Sequence, residues 1–130
     1  GSGTNVWALI NKEPHMVGAT FMYLNKGIDT GTIIHQIRPN IYLGDGPHSI
    51  GNRLIKEMTE IYADIISGFD NLSIEKQPIV KGKLYLQKEF DQHSCTRLYE
   101  NFSNDMIKNY LNNISNLKLP YLVKNKYLKT

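Results

Sequence analysis

The sequence predicts an α/β fold with a small helical C-terminal appendage. Two segments rich in β-branched and aromatic residues, 19–24 and 32–38, have the composition of strands. Between residues 47 and 69, apolar side chains recur every three or four positions, which is the spacing of an amphipathic helix. The chain has 130 residues, about the length of one domain. These observations favour one mixed core of strands and helices.

The first 70 residues contain the elements that predict this fold most clearly. A short helix is expected over 4–12, with Ser2 or Thr4 as its cap. The two strands follow, separated by a turn. Asp45 is then the expected cap of the long helix, and Gly68 is its expected end.

The C-terminal part contains shorter predicted elements. The alternation of Leu84 and Leu86 with polar neighbours predicts a short strand over 83–88. Two short helices are expected over 94–102 and 104–112, because each segment has apolar residues along one face.

The predicted domain organisation is a main α/β part over 1–75 and a C-terminal extension over 76–130. The net charge is +3, but residues 1–107 hold ten Lys and Arg against twelve Asp and Glu, whereas residues 108–130 hold five Lys and no acid. The positive charge therefore predicts a solvated basic tail, and it is weak evidence for nucleic-acid binding.

The setting predicted for the chain is cytoplasmic and reducing. Cys95 is the single cysteine, so an internal disulfide is excluded and a structural zinc site is not expected. No apolar run approaches the ~20 residues needed to span a bilayer, and no signal-peptide pattern opens the chain. The sequence begins at Gly1 without an initiator Met, which suggests that it is trimmed or cut from a longer protein.

The tripeptide Asp29-Thr30-Gly31 is the sharpest local motif, and by itself it has two interpretations. It matches the loop with which aspartic proteases pair two carboxylates. The polar residues that precede it, and the long helix over 47–69, are both foreign to an all-β protease. The other interpretation is an ordinary turn, because Asp before a small residue and Gly is a common loop sequence.

The wider order of motifs resembles the folate-dependent formyltransferase family, which includes methionyl-tRNA formyltransferases and sugar N-formyltransferases. The matching segments are 7–13 (WALINKE), 17–20 (VGAT), 27–34 (GIDTGTII) and Gln36. In that family a Trp-containing helix is followed by a Gly-hydrophobic-Thr strand, a Leu/Ile-Asp-small-Gly loop and a strand that ends near Gln. The resemblance covers roughly residues 1–70, and it implies the C-terminal half of a Rossmann-like catalytic domain.

The resemblance implies transfer of a formyl group from 10-formyltetrahydrofolate to an amine. By its position in the motif, Asp29 is the expected catalytic carboxylate. The segment Asn25, Lys26, Gly27, Ile28 and Asp29 is the expected binding segment for the folate, mainly through backbone groups. The Asn and His that complete the chemistry in this family lie upstream of the Trp-containing helix, so the chain alone is expected to lack them. No metal is expected.

The expected partners are therefore the folate donor, an amine acceptor of the amino-sugar-nucleotide or methionyl-tRNA type, and a second copy of the chain. Nucleic acid is expected only if the acceptor is tRNA, and a membrane partner is not expected. Two alternatives remain: a hydrolase of the same fold that releases formate, and a non-catalytic module whose basic tail binds an anionic partner. Binding through the tail would weaken steeply with salt.

Overall fold

A computed structural model describes residues 4–27, 30–77 and 86–128 of this protein. It confirms a mixed α/β composition that is mostly helical, with one small antiparallel sheet in the described part. The helices are α1 (Thr4–Ile10), α2 (Pro47–Ser67), α3 (Gln92–Ser103) and α4 (Met106–Asn113), and the strands are β1 (Ala19–Met22) and β2 (Ile33–Ile37). No helix among the described residues is long and apolar enough to cross a membrane.

The two strands form a hairpin whose register is fixed by its buried side chains. Ala19 pairs with Ile37 and Phe21 pairs with His35, and the register then shifts between Phe21 and Met22. Four of the five residues of β2 are buried, whereas β1 is only partly covered. A bulge of this kind bends a strand where it occurs. Here the extra residue is Ile34 of β2, opposite the end of β1 and close to the loop that carries the Asp29-Thr30-Gly31 motif.

Helix α2 confirms the periodicity of the sequence, but the predicted role of Asp45 as its cap is wrong. Gly46 is the capping residue, and its N–H donates to Ser49 Oγ at 2.8 Å. Asp45 instead binds Arg53 through two N–O contacts of 2.8 Å. Hydrogen bonding to Arg53 is the main cause that lowers the pKa of the Asp45 carboxyl. The helix ends at Gly68, as expected.

One hydrophobic core contains side chains from both parts of the chain. Trp7 and Ile10 of α1 and Leu54 of α2 pack in the same cluster as Leu98 of α3 and Leu128. Asn101 of α3 strengthens this contact: its buried Nδ2 donates to the carbonyls of Leu9 and Ile10, at 3.0 and 2.9 Å. These two carbonyls lie in the last turn of α1, where backbone acceptors have no N–H four residues later within the helix, although the Leu9 carbonyl also accepts from the Lys12 N–H at 3.3 Å.

The charge pattern predicts a solvated basic tail, and this prediction is wrong for the backbone of residues 120–128. Residues 120–128, the docked segment, lie against β2, and Val123, Asn125 and Leu128 are buried. The N–H of Gln36 donates to the Val123 carbonyl at 2.7 Å, and Gln36 Oε1 accepts from the Val123 N–H at 3.0 Å. Lys124 and Lys126 remain exposed. A pattern of charge alone does not show that the apolar residues between the lysines face the core.

The strand predicted over 83–88 is wrong for residues 86–88, the part of it that the structure describes. Residues 83–85 lie outside the described part of the chain, and Gln87–Glu89 form a 3-10 turn. Glu89 accounts for this turn, since its carboxylate accepts a hydrogen bond from the Leu86 N–H. The two helices expected next are confirmed as α3 and α4, and α3 begins at a cap where Asp91 accepts from the Ser94 N–H at 2.9 Å.

Candidate functional site

The motif lies in the loop that connects β1 to β2, whose described residues are 23–27 and 30–32. We call it the 23–32 loop. Of the residues predicted to bind folate, Asn25, Lys26 and Gly27 are described and are exposed at the surface. Ile28 and Asp29, the predicted catalytic residue, lie outside the described residues. The site is therefore described through the residues on either side of positions 28 and 29.

Asn25 organises this loop. Its Oδ1 accepts a hydrogen bond from the Gly27 N–H at 2.9 Å and another from Thr30 Oγ1 at 2.7 Å. The first of these bonds is an Asx turn, in which a side chain replaces a backbone acceptor two residues before the donor. The second bond joins the two sides of the 28–29 dipeptide. One carboxamide oxygen thus fixes the residues that precede and follow the predicted catalytic position.

Gly31 fixes the far side of the loop by close backbone contact. A Cβ added there would lie 1.5 Å from the Tyr23 carbonyl oxygen, so a larger residue does not fit. Next to it, the Tyr23 N–H donates to the Thr32 carbonyl at 3.0 Å, which closes the base of the loop. Gln77 adds a bond from the segment that follows α2: its Nε2 donates to the Gly31 carbonyl at 2.7 Å. The glycine is therefore required for the close approach of the two backbones.

A groove begins beside this loop and runs along β1. Met22 and Gln77, which adjoin the loop, line its near end, and its volume is about 540 Å³. This size is within the range of small-molecule sites. Both polar and apolar side chains line the groove, as in other small-molecule sites. Its other polar side chains include Thr4, Asn5, His15, Thr20, Gln36 and Arg38, and its large apolar ones include Met16, Ile33, Ile37 and Met58.

The polar groups at the far end of the groove are held in place by hydrogen bonds. Arg38 donates from Nε to the His15 carbonyl at 2.9 Å and from Nη2 to the Pro120 carbonyl at 3.0 Å. Gln36 donates from Nε2 to Thr20 Oγ1 at 3.0 Å. These contacts fix the shape of the groove and place a cation at the end that lies away from the loop.

His35 is a buried residue that the sequence did not single out. It is 1% exposed, and its Nδ1 accepts a hydrogen bond from the Asn125 N–H at 2.9 Å. Burial is the main cause that lowers the pKa of this imidazole, and the charge of Lys124 lowers it further. The ring is thus neutral near pH 7, as acceptance at Nδ1 requires. No sequence signal marks this role, because the partner lies 90 positions along the chain.

Within the described ranges, no group of three His, Cys, Asp or Glu side chains is placed to hold a metal ion. The chain was also compared with known proteins. No protein-family model, curated protein or solved structure matches it. The residues of the loop and the groove therefore carry what the chain shows about its function.

Proposed function

We propose that this chain carries the folate-facing part of a formyltransferase, which moves the formyl group of 10-formyltetrahydrofolate to an amine. The observation that supports this most is the double hydrogen bond to Asn25 Oδ1, which holds Gly27 and Thr30 in a fixed relation. A catalytic carboxylate at position 29 needs such a frame, because general acid–base chemistry requires the proton acceptor to be held within hydrogen-bond reach.

The chemistry assigned to the site is attack of the amine nitrogen on the formyl carbon, which gives a tetrahedral oxyanion. Collapse of this oxyanion breaks the bond between the formyl carbon and the folate nitrogen, which takes up a proton as tetrahydrofolate leaves. In this proposal Asp29 helps to remove the amine proton and keeps a neighbouring histidine charged. The histidine and the asparagine that stabilise the oxyanion come from outside residues 1–130. The resemblance implies that residues 25–29 contact the folate mainly through backbone groups. Asn25 Oδ1 is not free for the folate, because it already accepts two hydrogen bonds inside the loop.

The groove along β1 is large enough for a small formyl acceptor or for part of the formyl donor. Its volume of about 540 Å³ suits a sugar or part of the folate, and its uncharged polar residues offer both donors and acceptors of hydrogen bonds. A methionyl-tRNA acceptor would place its aminoacyl end there. If water replaces the amine, the same site becomes a formyltetrahydrofolate hydrolase, which is the alternative within this fold.

Binding can be tested on the 130-residue chain by calorimetric titration with 5-formyltetrahydrofolate, a stable isomer of the donor. We expect wild-type chain to bind it. Replacement Asn25→Ala should weaken binding at least tenfold, because both hydrogen bonds that fix the loop are lost. Asn52→Ala, which changes an exposed asparagine on α2, is the matched control. Absence of binding by the wild type, or equal binding by Asn25→Ala, would count against the assignment of this loop.

Catalysis is tested in the full-length gene product, with an amino-sugar nucleotide and methionyl-tRNA as acceptors and formate release measured in parallel. Asp29→Asn should lower formyl transfer by roughly 10²-fold, the usual contribution of a positioned acid or base. Asp64→Asn, an exposed carboxylate on α2, should leave the rate unchanged. Formate release without transfer would indicate the hydrolase. Full activity of Asp29→Asn would exclude the proposed catalytic role.

The second candidate is a binding module for an anionic partner, and exposed lysines on the docked segment favour it. Lys124 and Lys126 are exposed although the backbone around them is held against β2, so their charges occupy a defined surface. Binding of labelled tRNA through such charges should weaken steeply between 50 and 200 mM salt, in the manner of counterion release (about threefold to tenfold for each doubling of salt). Folate binding with no tRNA binding would exclude this candidate.

A further inference from the structure

A second cavity lies between the end of α1 and the helices α3 and α4. Its volume is about 310 Å³, which is at the lower end of the range for small-molecule sites. Buried residues form its floor: Asn101, Met106 and Tyr110 are 8%, 7% and 8% exposed. The rim is made of exposed residues, which include Lys12, Asn104, Asn109 and Asn113. The cavity is therefore a polar one that narrows to a buried floor.

Two polar groups on the floor are left without a partner in the described part of the chain. Asn101 is held through its Nδ2, which donates to the carbonyls of Leu9 and Ile10, so its Oδ1 remains as an acceptor. The ring of Tyr110 stacks on His15 with 12° between the planes, but its hydroxyl makes no hydrogen bond with a described residue. Because buried polar groups are nearly always hydrogen-bonded, these two groups indicate a place where a ligand completes the bonding.

The charge around the cavity favours an anionic ligand. Lys12 lies at the rim, and the described lining contains no Asp or Glu. Burial raises the pKa of the Tyr110 hydroxyl, and the charge of Arg38 opposes this increase. The hydroxyl is thus a proton donor at neutral pH that lies within the field of a second cation. Donors placed beside cations are the groups that bind carboxylates and phosphates.

The backbone of Lys12 is strained in a way that the helix end does not require. Its φ of 59° is in the left-handed region, which favours glycine. The Glu13 N–H donates to the Ala8 carbonyl at 2.8 Å, the bond of a Schellman motif, whose left-handed residue is usually glycine. Asp105, the other non-glycine residue with a positive φ in the described ranges, precedes Met106 at the same cavity. Strained residues concentrate at binding sites, so a lysine at this position indicates a function for its side chain.

We infer that this cavity binds a small hydroxylated anion, a sugar phosphate or a sugar acid. In this assignment the Lys12 ammonium and the Tyr110 hydroxyl face the anionic group. The carboxamides of the lining bind the sugar hydroxyls, because a carboxamide can both donate and accept hydrogen bonds. The inference does not depend on formyl transfer, since the cavity and the groove along β1 share only His15 among their described linings.

NMR titration of the 15N-labelled chain tests the inference, because asparagine side chains give their own amide signals. Glucose 6-phosphate or glucuronate should shift the side-chain signals of Asn104 and Asn109 saturably, with a Kd of about 1 mM or lower. The anion that binds more tightly identifies the group at Lys12. Glucose and inorganic phosphate each carry half of this chemistry and should bind at least about tenfold more weakly. Absence of saturable shifts with both sugar anions, or equal binding of either half, overturns the inference.

Lys12→Gly separates loss of binding from loss of folding. Glycine adopts a positive φ without a Cβ penalty, so the midpoint of urea unfolding should be at least that of wild type. Binding should nevertheless weaken at least about tenfold, because the ammonium is lost. Lys108→Ala is the matched control, since it removes the same charge from an exposed position of α4 outside the cavity, and it should bind like wild type.

Tyr110→Phe examines the floor of the cavity in the same titration. It keeps the aromatic ring and removes only the hydroxyl, so binding should weaken while the midpoint of urea unfolding changes little. Unchanged binding by Lys12→Gly or by Tyr110→Phe overturns the assigned contacts. A lower unfolding midpoint for Lys12→Gly, or equal loss of binding by Lys108→Ala, overturns the specific role of Lys12.

Discussion

Replacing Asn125 should show how much the docked segment contributes to stability. Its side chain is buried and its Nδ2 donates to two carbonyls, that of Ile34 at 3.2 Å and that of Ser73 at 2.8 Å. Asn125→Ala removes both bonds and leaves the acceptors without this donor. Each lost bond costs about 0.5–1.5 kcal/mol, and more where a buried acceptor stays unsatisfied. We therefore expect the free energy of unfolding to fall by roughly 2–4 kcal/mol.

Urea denaturation followed by tryptophan fluorescence measures this loss directly. Trp7 is the only tryptophan, and it is buried in the core, so its emission reports global unfolding. The matched control is Asn113→Ala on α4, whose exposed side chain donates a bond to the Asn109 carbonyl, four residues earlier in the same helix. It should change stability by less than about 0.5 kcal/mol. An Asn125→Ala variant as stable as this control would refute the argument that the docked segment is held by Asn125.

Two further predictions concern the pH and the loop. The pKa of His35 is lowered below its ordinary value of 6.5, so the unfolded chain binds the proton more tightly. The contribution of His35 to the free energy of unfolding should be fully present above pH 6.5 and should decrease as the pH falls below it, by at most about 1.4 kcal/mol per pH unit. His35→Gln should remove this slope in urea titrations at several pH values. The control His48→Gln, which changes an exposed histidine, should retain it. Gly31→Ala should lower the free energy of unfolding by more than about 2 kcal/mol, because the new Cβ would overlap the Tyr23 carbonyl. Gly68→Ala, where an added Cβ makes only ordinary contact, should stay within about 0.5 kcal/mol of wild type in the same titration, and equal stability of the two variants would exclude the steric explanation.

Sequence reasoning succeeded where local periodicity decides the structure. The extent of α2 follows from its repeated apolar residues and from Gly68, and it was predicted to within two residues of Pro47–Ser67. The same reasoning found α3, α4 and both strands. It failed for residues 86–88, because alternation of apolar and polar residues over so short a span does not exclude a 3-10 turn.

The contacts that hold the parts together could not be predicted in this way. Asn101 binds carbonyls about 90 positions earlier in the chain, and Asn125 does the same for β2. The sequence does not distinguish a buried asparagine in a polar segment from an exposed one. Only the fold shows which asparagine faces a buried acceptor. The site shows the same division. Asp29 was predicted from a motif, whereas the contact of Gln77 with Gly31 joins residues 46 positions apart.

Strand β2 connects the candidate site with the rest of the molecule. Its first residue, Ile33, exchanges two backbone hydrogen bonds with Glu75, at 2.6 and 2.8 Å. Near its other end, Gln36 binds Thr20 on β1 and Val123 on the docked segment. The loop therefore leads into a strand that three separate segments hold in position. A site that must place a carboxylate accurately gains from such a support, because residues next to a fixed strand move less than residues in an isolated loop. The docked segment, although distant from the motif in sequence, thus belongs to the framework that positions the 23–32 loop.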